Sequence, residues 1–289
     1  MDNLRGAALM TLAMLGFAVE DMFVKILALR FPTWQIIAFL GCGGALAFGA
    51  MVKLRGESLW SRAMFVPAVL LRNLGELIGT TGFVTALAMI ELSTASAILQ
   101  ATPLVVTMGA ALFLSEPVGW RRWTAILVGF SGVLLVIRPG SVSFDLGALF
   151  ALQGVLGLAI RDLATRRVRV QTSSVQLSFL AFLTLLPAAA ILAWIQGVSP
   201  VRPEASDTLT IVAMLCLGVV SYYAIVAAMR VGEVSYVTPF RYSRIVFALG
   251  IGAVAFGERP DGLMLLGCVL IVGSGLFTLW RERNIRPAA

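Results

Sequence analysis

Ten apolar runs, each long enough to cross a bilayer and parted from the next by short polar breaks, leave this chain little choice of architecture. They fall at about 4–29, 33–54, 64–90, 93–114, 119–138, 145–167, 173–196, 206–230, 233–256 and 262–281. At ~1.5 Å per helical residue, roughly 20 residues cover the ~30 Å hydrocarbon core. Lipid offers no partner to a backbone amide, so such runs must close their hydrogen bonds internally, as helices. The breaks carry residues that stop helices: Phe31-Pro32, Arg55-Gly56, Glu116-Pro117, Arg138-Pro139-Gly140, Ser199-Pro200 and Arg259-Pro260. The expected fold is an all-α integral membrane protein of ten transmembrane helices, with loops too short to hold a soluble domain.

Composition agrees, with 59% hydrophobic and 13% charged residues against about 45–50% and 25% in soluble domains. The net charge of +7 comes from residues scattered singly between the runs, which disfavours a nucleic-acid partner. Orientation explains it better. With the N-terminus inside, inner loops carry thirteen basic residues: Arg5, Lys53, Arg55, Arg62, Arg121, Arg122, Arg166, Arg167, Arg169, Arg230, Arg281, Arg283 and Arg286. Outer loops carry four, Arg30, Arg138, Arg202 and Arg259. The positive-inside rule then puts both termini in the cytoplasm.

The opening run is too long for a signal-peptide core and lacks a clear cleavage site, so it is expected to remain as the first span. Histidine is absent, which removes His-based metal sites and triads. Cys42, Cys216 and Cys268 lie in separate runs and are expected to be small core residues. No cofactor, metal or obligatory protein partner is called for. The expected partners are the bilayer and a small-molecule substrate.

Away from the ends of the runs lie nine charges: Lys25, Arg72, Arg161, Arg241 and Arg244, with Glu20, Asp21, Glu76 and Asp162. An arginine at a helix centre costs roughly 2.5–3.5 kcal/mol on insertion scales, so each must meet protein, water or a ligand. Spacing suggests i,i+4 pairs of Asp21 with Lys25, Arg72 with Glu76 and Asp162 with Arg166. Arg241 and Arg244 have no acidic partner in their own run.

The chain also repeats itself. A shift of 141 aligns Gly6-Ala7 with Gly147-Ala148, Gly16 with Gly157, Ala18 with Ala159, Asp21 with Asp162 and Lys25 with Arg166. At 142, Ala86 meets Ala228, Glu91 meets Glu233, Ser93 meets Ser235 and Glu116 meets Glu258. Each half, 1–139 and 140–289, holds five runs, an odd number. The halves are therefore expected to enter the membrane in opposite directions, the inverted repeat of secondary transporters with substrate near the midplane. Small residues mark close helix contacts: Gly75, Gly79 and Gly82 in the third run; Gly41, Gly43, Gly44 and Gly49 in the second; Gly129, Gly132, Gly267, Gly273 and Gly275 in the fifth and tenth.

The stretch Thr85-Ala-Leu-Ala-Met-Ile-Glu-Leu-Ser-Thr-Ala-Ser-Ala-Ile-Leu-Gln-Ala-Thr-Pro103, continuing through Leu114-Ser-Glu116-Pro117 to Gly129-Phe-Ser-Gly132, resembles the signature of the drug/metabolite transporter superfamily, EamA type. A second copy runs from Ala228 through Pro239 and from Glu258 to Gly275. Within that superfamily the chain is most similar to bacterial amino-acid exporters, including those for aromatic amino acids. The resemblance implies two five-helix halves, both termini inside, and efflux across the inner membrane by alternating access. The kinks depart from symmetry: Pro103 aligns with Ile245, and the nearest proline is Pro239.

A zwitterion crossing lipid needs both its charges met. Arg244, or alternatively Arg241, is expected to hold a carboxylate, since a guanidinium matches it bidentately. Glu20, Asp21 or Glu76, the last beside Arg72, is expected to meet an ammonium. Phe17, Tyr222, Tyr223, Tyr236 and Tyr242 offer ring faces, and Gln100 flanks the kink at Pro103. The expected function is export of small metabolites, amino acids foremost, including large neutral or aromatic ones. Hydrophobic cations or another metabolite are the alternative. A membrane-embedded enzyme is disfavoured, because the chain lacks His, a paired acidic metal motif and a Gly-rich phosphate loop.

Overall fold

The computed structural model describes residues 2–60, 62–116, 118–142, 144–168 and 173–285, without the side chains of Ala63, Val234, Ser235 and 282–285. Pro117, Arg169 and Arg286, used above for a break and for the charge count, lie outside it, as does the side chain of Arg283. Among the described residues every regular element is helical. The helices are α1 (Asn3–Ala28), α2 (Thr33–Leu54), α3 (Pro67–Met89), α4 (Leu92–Leu99), α5 (Thr102–Phe113), α6 (Trp120–Ile137), α7 (Gly147–Thr165), α8 (Ser174–Gln196), α9 (Ala205–Val231), α10 (Val234–Val237), α11 (Ser243–Phe256) and α12 (Gly262–Ile285).

Eight segments are long and apolar enough to span a membrane, counting α4 and α5 as one (Leu92–Phe113). Two more of the expected ten are present in altered form. Helix α3 has the length, but Arg72, Asn73 and Glu76 lower its hydropathy. The ninth span is broken, α10 passing through a 3-10 turn, Thr238–Tyr242, into α11. The fourth is also interrupted, at Gln100-Ala101, just before Pro103 enters the first turn of α5.

Termination follows local chemistry. Gly197 and Gly257 close α8 and α11 in the left-handed region, where a glycine pays no Cβ penalty. Arg138 does the same for α6, and Ser115 also has positive φ. Outward-facing Leu46, Leu127 and Val254, the last 90% exposed, give the bundle an apolar exterior, as expected where the solvent is lipid. Cys42 and Cys216 are exposed on that exterior, against expectation, while Cys268 is buried.

The main helix pairs are α3 with α7, α1 with α9, α2 with α8, and α6 with α12. Exchanging the halves turns the first pair into the second and maps the third and fourth onto themselves. The duplication read from the sequence therefore organises the packing. Glycine sets the closest backbone-to-backbone contact: a Cβ on Gly157 would lie 2.2 Å from the Gly79 nitrogen, and one on Gly75 would lie 2.6 Å from the Arg161 nitrogen. Gly132 on α6 approaches the Gly267 carbonyl in the same way, whereas Gly273 faces open space.

This contrast yields a prediction. Gly157→Ala must push two backbones apart, at a cost of about 1–3 kcal/mol. Its counterpart Gly16→Ala meets the Ser221 hydroxyl, a side-chain atom that can turn away. Thermal melts in detergent should show the larger loss for Gly157→Ala. Equal losses would mean that the α3–α7 contact is not the tighter one.

Candidate functional site

The close approach of α3 and α7 through Gly75, Gly79 and Gly157 brings two charged helix faces together. Glu76 Oε2 lies 3.4 Å from Arg161 Nη1 and 3.9 Å from Arg72 Nη2. Arg161 Nε also donates to Asp162 Oδ1 at 2.8 Å. Arg72, buried, donates to the Leu177 carbonyl at 2.9 Å and to Asn73 Oδ1 at 3.1 Å. This relay, Arg72 to Glu76 to Arg161 to Asp162, links one ion pair on α3 to one on α7 through Glu76 and Arg161.

A second pair joins the halves. Arg244 grips Asp21 bidentately, with Nη2 to Oδ2 at 2.7 Å and to Oδ1 at 2.9 Å and Nε to Oδ2 at 3.2 Å. Its guanidinium also lies 5.3 Å from the Phe17 ring centre and 5.5 Å from that of Phe83. Phe83 was not singled out from the sequence, and no signal there distinguishes it from the other phenylalanines.

Two of the three expected i,i+4 pairs therefore do not form. Asp21 turns to Arg244, and Lys25 instead donates to the carbonyls of Ile90 (2.5 Å) and Leu87 (3.3 Å) at the end of α3. Asp162 pairs with its neighbour Arg161, and Arg166 pairs with Glu116 at 2.8 Å. In the first case the charge one turn away lost to one on a packed neighbouring helix, where less water competes; in the second Asp162 is taken by the adjacent residue of its own helix. Arg72 with Glu76 is the pair that forms.

Among the described intramembrane charges, two make no ion pair or hydrogen bond through their side chains: Arg241 and Glu20. Both keep part of their surface accessible. Arg241 sits in the 3-10 turn, and the Gln100 amide donates to its carbonyl at 3.2 Å, tying the two interrupted spans together at their breaks. It lies in the electrostatic field of Asp162, Arg161 and Arg244. Glu20 fits into the notch left by Gly218 on α9, where a Cβ would meet its Oε1 at 2.6 Å. It feels Asp21 and Arg244, so both unpaired charges lie in the field of Arg244.

The tyrosines disperse. Tyr222 packs edge-on against Phe48, with 5.1 Å between ring centres, and lies in the field of Arg161. With Met51, Arg55, Tyr223 and Arg230 it lines a cavity of about 220 Å³. Tyr236 is exposed beside Phe240. Tyr242 is buried against Gly275, with its hydroxyl unpartnered. Pro103 opens α5, its carbonyl taking the Thr107 hydroxyl.

Arg30 ties the α1–α2 turn to Glu204 (2.5 Å) and Asp207 (2.7 Å) at the start of α9, and Arg138 pairs with Asp261 ahead of α12. The hydrogen bond from Arg30 holds the Glu204 carboxyl below the usual range, and that from Arg138 does so for Asp261. A depressed carboxylate contributes above its unfolded pKa and loses that contribution as pH falls through the folded one. Hydrogen-exchange protection in these turns, corrected for the pH dependence of exchange in an unstructured peptide, should therefore fall on acidification below the ordinary carboxylate range. Unchanged protection would deny the ties a role.

Comparison with known proteins follows the same outline. The family model described as "EamA-like transporter family" matches residues 4–138 and again 145–280. A riboflavin transporter of Rhizobium johnstonii is 28% identical over 291 residues, covering 98% of this chain and 94% of its own length. The pseudopaline exporter CntI of Pseudomonas aeruginosa is 30% identical over 278 residues, covering 92% and 93%. An S-adenosylmethionine uptake transporter of Rickettsia bellii is 24% identical over 278 residues, covering 94% and 92%. One solved crystal structure superposes with a TM-score of 0.59 at 21% identity, covering 95% of this chain and 99% of its own, and so shares the fold. With both halves matched by one family model, this chain is a transporter rather than an enzyme and belongs to the EamA-like family of the drug/metabolite transporter superfamily.

Proposed function

We propose that this protein moves a small zwitterionic metabolite, an amino acid or a compound bearing an amino-acid head group, outward across the inner membrane by alternating access between two inverted five-helix halves with both termini in the cytoplasm. The observation that carries this reading is the pair of unpaired intramembrane charges of opposite sign, Arg241 and Glu20, both in the field of the Arg244 that grips Asp21. A carboxylate binds the free guanidinium fork and an ammonium binds the free carboxylate. The two charges of the substrate then replace water on groups that the fold leaves open, which lowers the cost of holding a zwitterion at membrane depth.

Arg244, preferred on sequence grounds, becomes the fixed partner that sets the field at the two open groups. The relatives favour a metabolite site, since S-adenosylmethionine itself carries an α-amino-acid head. Their names include both uptake and export, so the outward direction rests on the sequence resemblance.

Proteoliposomes should show saturable flux of a labelled neutral amino acid, stimulated by unlabelled amino acid on the opposite face. In Glu20→Gln the amide no longer matches an ammonium charge, and flux of the zwitterion should fall about tenfold or more, while competition by simple carboxylates persists. Flux of a hydrophobic cation with no amino-acid flux would overturn the zwitterion reading.

A further inference from the structure

The two halves end their interrupted spans on the same device but use it differently. After α11, Gly257 turns the chain at φ +67 and presents Glu258; after α5, Ser115 does so at φ +55 and presents Glu116. The backbone nitrogens bond in register, Glu258 to the Gly252 carbonyl at 3.0 Å and Glu116 to the Ala110 carbonyl at 3.2 Å. From there the side chains part.

Glu258, buried, caps the first turn of α4, accepting from Leu92 N at 2.7 Å, Ser93 N at 2.9 Å and Ser93 Oγ at 2.6 Å. Glu116, its side chain 39% exposed, instead lies on Arg166 at 2.8 Å. The helix packing shows the same difference. Helix α4 packs along α11 at the Glu258 end, but among the described residues no contact of comparable extent joins α5 to α10 at the other.

The basic residues complete the pattern. Arg166 aligns with Lys25 in the repeat, and at the capped end Lys25 donates to the carbonyls of Leu87 and Ile90 while remaining in the field of Glu258. Each end thus owns a carboxylate, a basic residue and the N-terminus of an interrupted helix. The structure holds one end with the carboxylate on the helix and the other with the carboxylate on the base.

From this we infer that Glu258 and Glu116 are the two latches of the transport cycle, closed in alternation. In the opposite state Glu116 leaves Arg166 and packs against the start of the ninth span, and Glu258 moves to Lys25. This rests on the transporter reading and names the groups that hold each end shut. A carboxylate is well suited to the task, because a helix N-terminus presents unsatisfied N–H groups and a positive dipole end. Ser93 is fully buried, so its amide cannot be left bare: the cap opens only when water enters the vestibule to replace it. Opening of the gate and hydration of the passage are then one event.

Gly252 sets the bias between the two states. A Cβ there would lie 2.3 Å from Glu258 Oε2 and 2.5 Å from Ser93 Oγ, so this cap requires a glycine. The aligned position is Ala110, whose methyl makes Glu116 seat less deeply, and the end that is latched here is the one with room for its carboxylate.

The test measures distances across each end of the full chain in lipid nanodiscs, in a background with Cys42, Cys216 and Cys268 replaced. Spin labels at Glu91→Cys and Arg259→Cys report the Glu258 end, and labels at Gly119→Cys and Glu233→Cys the Glu116 end; all four positions are exposed. Glu258→Gln should raise the long-distance fraction at 91/259 about tenfold relative to the short one and shorten 119/233. Glu116→Gln should do neither, leaving the Glu258 end closed and the other open, and should abolish any short 119/233 fraction present in the parent. Ser93→Ala and Gly252→Ala, which keep both carboxylates, should move 91/259 in the direction of Glu258→Gln.

If Glu258→Gln, Ser93→Ala and Gly252→Ala all leave 91/259 unchanged in folded protein, the latch is refuted. So is it if the two ends open together. Absence of amino-acid flux in the parent would count against the transport reading alone, since the distances report the latch without substrate.

Discussion

Arg241→Ala is expected to lower amino-acid flux about ten- to hundredfold while leaving folded, monodisperse protein in detergent. The magnitude is that of one charge-assisted, bidentate interaction, about 1.5–3 kcal/mol. Folding should survive because the Arg241 guanidinium makes no ion pair or hydrogen bond among the described residues, so its removal orphans no protein group. Losing an unpaired charge from membrane depth should if anything raise the melting temperature. Arg241→Lys tests the fork: an ammonium keeps the charge but not two parallel donors, and an intermediate loss is expected. Full activity in Arg241→Ala would remove this residue from the substrate site and with it the zwitterion arrangement.

Asp21→Asn should behave in the opposite way, costing fold before function. Asp21 is 4% exposed and takes both arms of Arg244, so the substitution leaves a guanidinium without its counter-charge. Breaking one partner of a buried pair typically costs about 3–5 kcal/mol. Glu20 lies in the same field and is the carboxylate at hand to replace it, so the full loss is expected in Asp21→Asn combined with Glu20→Gln. Adding Arg244→Met to that background should return most of the stability, because the penalty comes from the stranded charge. Melting in detergent decides it. If Asp21→Asn melts like the parent even with Glu20→Gln, the pair does not hold the two halves together.

These two outcomes separate groups that look alike in the sequence. Arg241 and Arg244 stand three residues apart in one apolar run, and periodicity alone gave no reason to divide them. The 3-10 turn from Thr238 to Tyr242 does so: it advances about 120° per residue where an α-helix advances about 100°. The phase of a side chain beyond such a turn is not that of a continuous helix, and Arg244 arrives at Asp21 while Arg241 is left open. Likewise Tyr242, adjacent to Arg241, turns into the α12 contact made by Gly275. Glu258 was visible as half of a repeated motif, yet nothing in its neighbourhood along the chain pointed to α4, more than 160 residues away.

By itself the sequence determined the class, the spans, the duplication and the inventory of charges that the membrane interior must accommodate. Those are local properties: each span satisfies its own backbone hydrogen bonds, and hydropathy is read residue by residue. Only the tertiary structure decided which charges meet, which stay open and which interrupted span has its helix start capped by a carboxylate. Pairing across helices depends on the depth and rotation of one cylinder against another. Those are set by contacts such as Gly157 on Gly79 and by breaks in the fourth and ninth spans, and spacing along a single helix carries no record of them.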